Sequence, residues 1–314
     1  MRKMSLEMVY RLAKKDKRIY FIGSDLGVGT LSNFEKELPG QFLKEGVSEA
    51  YIIGLAAGLA LEGKIVYINT IATFLTRRCF EQIVIDAALH KLKIRLIGSG
   101  AGLVYAPLGP THLAIEDIAI MRAIPNMTVI ACADAKEMEK MMPQTVDWPG
   151  PIYIRLAKGN DAIVTKGKFR IGKAYRYAEG IDILLVTTGI TLQLALEARK
   201  ILAEKYISAG ILHVPTVKPL DKKTLLSSIR SYPAVISVEE HSITGGLGSA
   251  VAEVISEADF ADRKIFNRIA LADAFPEGYG SQKEQMKKNK ITSAEIVRQA
   301  TRLISRAREN KWEN

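Results

Sequence analysis

The sequence predicts two consecutive α/β domains, each built on a parallel sheet, and three observations carry that prediction. Short apolar runs alternate with helix-like stretches along the whole chain. The rhythm breaks once, over residues 157–180, which are rich in glycine and charge. At 314 residues the chain is also long enough for two cores,. Strands separated by helical patterns are the signature of a parallel sheet covered on both faces.

The elements follow in order. Residues 1–18 alternate charge and apolar groups, as an amphipathic helix does. An apolar run at 18–23 ends in Gly23. A helix is expected at 48–62, strands at 64–70 and 93–98, and a helix at 76–92 between them. Strands at 127–133 and 151–156 flank a helix at 134–146. These make a first domain over 1–165, followed by a linker at 166–180 with short strand-like pieces around 168–177. The second domain, 181–314, reads strand 182–187, helix 191–204, strand 208–213, helix 221–230, strand 234–239 and helix 246–257, with a terminal helix near 292–309. No solenoid repeat and no low-complexity tract interrupts it.

Composition narrows the function classes. The chain is 48% hydrophobic and 25% charged, ordinary for a globular protein,. Two cysteines, Cys79 and Cys132, argue against a disulfide framework and fit a reducing, cytoplasmic setting,. No secretory signal opens the sequence and no apolar run is long enough to cross a bilayer, so no membrane partner is expected. The formal net charge is +10, much of it within residues 283–311. A solvated basic face, an acidic partner subunit or anionic substrates explain it. Without interleaved aromatics for base stacking, no nucleic-acid partner is expected.

Motifs are few. Gly98-Ser-Gly100-Ala-Gly102 follows an apolar strand, but the third glycine is misplaced for a dinucleotide loop,. Gly245-Gly-Leu-Gly248 opens a helix. Its amides could hold an anion, although tight packing is the commoner reason for such glycines. The four histidines (His90, His112, His213, His241) are scattered without zinc spacing, so no metal site is expected in this chain itself,. One segment differs in kind. Glu49 opens the apolar, small-residue stretch Gly46-Val-Ser-Glu-Ala-Tyr-Ile-Ile-Gly-Leu-Ala-Ala-Gly-Leu-Ala60. A helix-start acid favours the macrodipole. A helix this apolar is not a surface helix, however, which places Glu49 beside an interface or cavity. There a desolvated carboxylate has a raised pKa and can share a proton with a ligand nitrogen.

These segments, in this order, resemble the pyrimidine-binding and C-terminal domains of transketolases and of the related deoxyxylulose-phosphate synthases. The carriers are Gly23-Ser24-Asp25-Leu26, Gly46-Val47-Ser48-Glu49, Ala72-Thr73-Phe74-Leu75, Gly109-Pro110-Thr111-His112, Arg122 through Met127, and residues 238–248. The resemblance implies a thiamine diphosphate enzyme that moves a two-carbon ketol unit from a ketose to an aldose. Glu49 then activates the cofactor through its aminopyrimidine, which in turn deprotonates the thiazolium carbon. Phe74 stacks on the aminopyrimidine, Phe80 completes the aromatic wall, Arg77 lies between them, and Asp25 belongs to the same cofactor side. His112 faces the substrate, with Lys158 and Arg2 toward its phosphate.

The resemblance also implies what is lacking. The Gly-Asp-Gly motif that, with a downstream asparagine, holds diphosphate and Mg in full-length members does not occur in this sequence. A separate N-terminal subunit is therefore expected to supply them, in an α2β2 assembly acting on sugars or sugar phosphates. Leu108 and Gly100 (Ala101 by the synthase pattern) stand where an aspartate and a phosphate-contacting basic group are usual, which points to a non-standard sugar. A deoxyxylulose-phosphate synthase-like enzyme, a 2-oxo acid dehydrogenase β subunit and a non-catalytic regulatory subunit are the alternatives.

Overall fold

A computed structural model describes residues 1–23, 31–44, 46–157 and 161–309. Among the described residues twelve strands form two sheets. The first half supplies β1 (Ile19–Gly23), β2 (Phe42–Lys44), β3 (Ile65–Ile71), β4 (Ile94–Ser99), β5 (Thr128–Ala131) and β6 (Ile152–Leu156). The second supplies β7 (Tyr175–Ala178), β8 (Ile183–Thr187), β9 (Ala209–His213), β10 (Thr216–Lys218), β11 (Ala234–Ser242) and β12 (Ile265–Leu271). The first sheet runs β10-β5-β6-β4-β3-β1-β2 and the second β12-β11-β8-β9-β7. All pairings are parallel except β10 with β5 and β7 with β9.

Burial on both faces explains why the central strands read as unbroken apolar runs. In β3, Ile65 and Tyr67 join a core with Leu6, Phe21 and Phe34, while Val66 and Ile68 join one with Ile52, Ile53 and Leu75. In β8, Ile183 and Leu185 face one side and Leu184 and Val186 the other. The N-terminal amphipathic pattern becomes the helix Arg2–Ala13, with Leu6 and Val9 fully buried.

Three features depart from the sequence expectation. The single helix expected at 76–92 is instead a π-helical turn at Phe74–Arg78, a short α turn at Phe80–Gln82 and a second π segment at Ile83–Ala88. Part of the expected linker is β7, an edge strand of the second sheet. β10, from the second half of the chain, pairs with β5 of the first sheet, so the two halves share a sheet.

Candidate active site

The residues expected to carry chemistry follow the carboxyl ends of the first sheet's strands. Ligands of open parallel sheets bind at that edge. Glu49 begins the helix Glu49–Leu61 that follows β2. Phe74 begins the turn after β3, and His112 lies in the 3₁₀ turn Pro110–His112 beyond β4.

Three of these residues are linked by contacts, through a fourth. The Glu49 side chain is 5% exposed, and its Oε2 accepts a hydrogen bond from Arg78 Nη1 at 2.6 Å. The Arg78 guanidinium carbon lies 4.7 Å from the centre of the Phe74 ring. Phe74 also meets the His112 ring in a T-shaped pair, with centroids 5.1 Å apart and planes at 66°. His112 Nδ1 is engaged by Thr111 Oγ1 at 3.0 Å. A buried carboxylate, an aromatic face and an imidazole thus form one continuous wall.

Arg78 was not among the residues singled out from the sequence. The available signal was its spacing: residues four apart on a helix are neighbours, and Arg78 is four beyond Phe74. Arg77 goes elsewhere. Its Nε and Nη2 pair with Glu116 and its Nη2 also donates to the Leu113 carbonyl, bracing the segment after His112. Phe80 is half-buried and packs against the core cluster that contains Ile52 and Leu75. Arg2 opens the first helix, where burial lowers the Met1 amine against the raising field of Asp161 and Asp134. It makes no described contact with the Glu49 wall. Asp25 and Lys158 lie outside the described residues.

The glycine clusters have structural uses. A Cβ on Gly100 would strike the Tyr105 ring, and one on Gly102 the Glu240 carboxylate. The helix start at Gly245–Gly248 does hold an anion, supplied by the chain itself. Glu239 accepts from the Leu247 and Gly248 amides, both at 2.7 Å.

Behind the wall the two halves of the chain meet in a buried polar junction. Asp117 Oδ2 accepts from Arg155 Nε at 2.8 Å and from the Tyr153 hydroxyl at 2.7 Å. Arg155 Nη2 donates to the Glu240 carbonyl at 2.8 Å, and Glu240 Oε1 accepts from the Leu103 amide and Gln282 Nε2. Burial pulls the Arg155 guanidinium down, but Asp117 and Glu240 outweigh it and hold it above its ordinary range. Burial raises the Glu240 carboxyl, against the lowering influence of Arg155, Gln282 and the Leu103 amide. Among the described residues no three His, Cys, Asp or Glu side chains gather as a metal site, and no helix is long and apolar enough to cross a membrane.

Comparison with known proteins identifies the family. Residues 1–162 match the transketolase pyrimidine-binding domain and residues 172–296 the transketolase C-terminal domain. The chain is 34% identical to the 6-deoxy-6-sulfo-D-fructose transketolase subunit SqwH of Clostridium sp. (strain MSTE9), covering 96% of this chain and 93% of that one. It is 35% identical to a subunit of the apulose-4-phosphate transketolase of Phocaeicola vulgatus, over 82% and 83% of the two chains. A solved split-gene transketolase, described as an inactive β4 tetramer, superposes with a TM-score of 0.88 at 32% identity, covering 97% of this chain and 98% of that chain. The wall of Glu49, Phe74 and His112 therefore stands in a chain that belongs to the transketolase family, as the pyrimidine-binding and C-terminal subunit of a two-chain transferase.

Proposed function

We propose that this chain holds the aminopyrimidine of thiamine diphosphate against Glu49 and Phe74, while a partner chain binds the diphosphate and Mg, in an α2β2 enzyme of the cytoplasm. The observation that carries the reading is the pairing of a buried carboxylate with an aromatic face, both engaged by one planar nitrogen-rich group. An aminopyrimidine is chemically of that kind, so the residues fit the cofactor. When bound, the cofactor supplies a thiazolium carbon that becomes nucleophilic on losing a proton.

The roles of this chain's own side chains follow from position. Glu49 holds a proton at the pyrimidine ring nitrogen. Phe74 fixes the plane of the ring, Phe80 completes the aromatic wall, and Arg77 braces the segment after His112 through Glu116 and the Leu113 carbonyl. His112, with Nδ1 held by Thr111, offers Nε2 to a substrate oxygen. By motif resemblance alone, Asp25 is assigned to the cofactor side and Arg2 and Lys158 to the anionic end of the sugar. Domain limits of 1–165 and 181–314, joined by 166–180, complete the proposal.

A partner surface supports the two-chain reading. The helix Glu49–Leu61 shows Tyr51 and Leu61 to solvent, beside exposed Val47, Ile85 and Leu89. Exposed apolar side chains along this helix and the segment packed beside it are what an interaction face requires. The substrates named for the two relatives, a sulfo-sugar and a sugar phosphate, each carry an anionic group. With Leu108 and Gly100 at the sugar side, an anionic ketose outside the common pentose set is the donor class that fits.

Reconstitution tests this. The chain alone, given thiamine diphosphate and Mg, is expected to transfer no ketol unit, and to do so once the partner chain is added. Activity of the purified chain alone would contradict the two-chain reading. Turnover of pyruvate in place of a ketose would assign the synthase or dehydrogenase chemistry. Silence with every donor would leave a regulatory subunit.

A further inference from the structure

One side chain already makes both contacts that the proposed function assigns to the aminopyrimidine. Arg78 donates from Nη1 to Glu49 Oε2 at 2.6 Å, and its guanidinium carbon lies over the Phe74 ring at 4.7 Å. A guanidinium is flat, hydrogen-bonds a carboxylate along its edge and stacks on aromatic rings. A 4-aminopyrimidine shares this chemistry: a flat face and an edge of adjacent ring nitrogen and amine.

The two partners are not held alike. The Glu49 side chain is 5% exposed and the Arg78 side chain 49%. The acid is fixed in the wall, and the arginine reaches it from solvent. Arg77, the neighbouring cation, is committed to Glu116 and the Leu113 carbonyl and cannot replace it. Phe74 thus carries two neighbours, the tilted His112 ring and the Arg78 guanidinium over its own ring.

We propose that Arg78 is an internal stand-in for the aminopyrimidine. It neutralises Glu49 while the site is empty and must swing out before the cofactor ring enters. The proposal rests on the functional reading above and adds a competitor built into the same chain. An unpaired buried carboxylate is costly, so a subunit made apart from its partner gains from such a neutraliser. The consequence is a penalty on cofactor binding, because apparent affinity falls with the fraction of molecules whose site is open.

The test titrates the full chain with 4-amino-2-methylpyrimidine, followed by NMR shifts of the probe, and the assembled two-chain enzyme with thiamine diphosphate. Arg78→Met removes the hydrogen bond and the stacked charge. Arg78→Lys keeps the charge and loses the flat fork. If the contact is closed about nine-tenths of the time, Arg78→Met tightens both ligands about tenfold, with Arg78→Lys in between. Should Arg78→Met fail to fold, Arg78→Lys decides the matter: tighter binding supports the stand-in and unchanged binding overturns it. Unchanged affinity in Arg78→Met, or weaker binding because Arg78 is a cofactor contact, would overturn the proposal. Glu49→Ala and Phe74→Ala separate the two readings. Binding that needs both residues yet ignores Arg78 sinks only the stand-in. Binding indifferent to both, or no binding by any form of the protein, sinks the aminopyrimidine site as well.

Discussion

Glu49 and Glu239 are both buried glutamates beside the first turn of an apolar helix, and the chain uses them in opposite ways. Glu239 accepts hydrogen bonds from two backbone amides of the helix start, those of Leu247 and Gly248, inside one domain. Glu49 opens its own helix without capping it, and its described partner is a half-exposed arginine. The first arrangement is closed by backbone that cannot leave. The second is closed by a side chain that can. A helix-start acid is therefore structural or chemical according to what satisfies it, and the sequence around a glutamate does not state which.

The same contrast holds between the junction and the strand-end wall, and it can be broken by mutation. The largest effect is expected at the junction. Arg155→Met leaves Asp117 buried without its cation, and losing one partner of a buried pair costs about 3–5 kcal/mol. Denaturant unfolding should show that loss. A loss under about 1 kcal/mol, the scale of an exposed ion pair, would mean that the junction is wetter than its geometry states. A smaller effect is expected at the wall. His112→Ala should lower kcat/KM of the assembled enzyme by about tenfold or more, the scale of one hydrogen bond to a charged or polar partner, while the melting temperature holds. Unchanged kcat/KM for every ketose processed would place His112 outside the substrate site.

The alternation of apolar runs and helices made both sheets legible, because strands buried on both faces leave continuous apolar runs. β10 was not legible. Thr216–Lys218 is three residues long and joins a sheet whose other strands lie far earlier in the chain. The π-helical winding at 74–78 was equally hidden, since a helix pattern does not state its pitch. Within that turn Arg78, and not Arg77, meets Glu49. The position of Glu49 was readable from a lone carboxylate in an apolar helix. The junction was not: Arg155 pairs with Asp117 and reaches Glu240 across long separations, and charges that distant acquire meaning only when the fold brings them together.

The most direct measurement of the central claim is hydrogen–deuterium exchange at the thiazolium carbon of thiamine diphosphate bound to the assembled enzyme. Wild type and Glu49→Gln should be compared at matched cofactor occupancy. Glutamine keeps the size of the side chain and its hydrogen bonding but cannot hold the charge or share the proton. General acid–base contributions of about 10²–10⁴-fold set the scale, and exchange in Glu49→Gln should slow by that order. Equal exchange rates in the two proteins would show that Glu49 is only the acid that starts its helix.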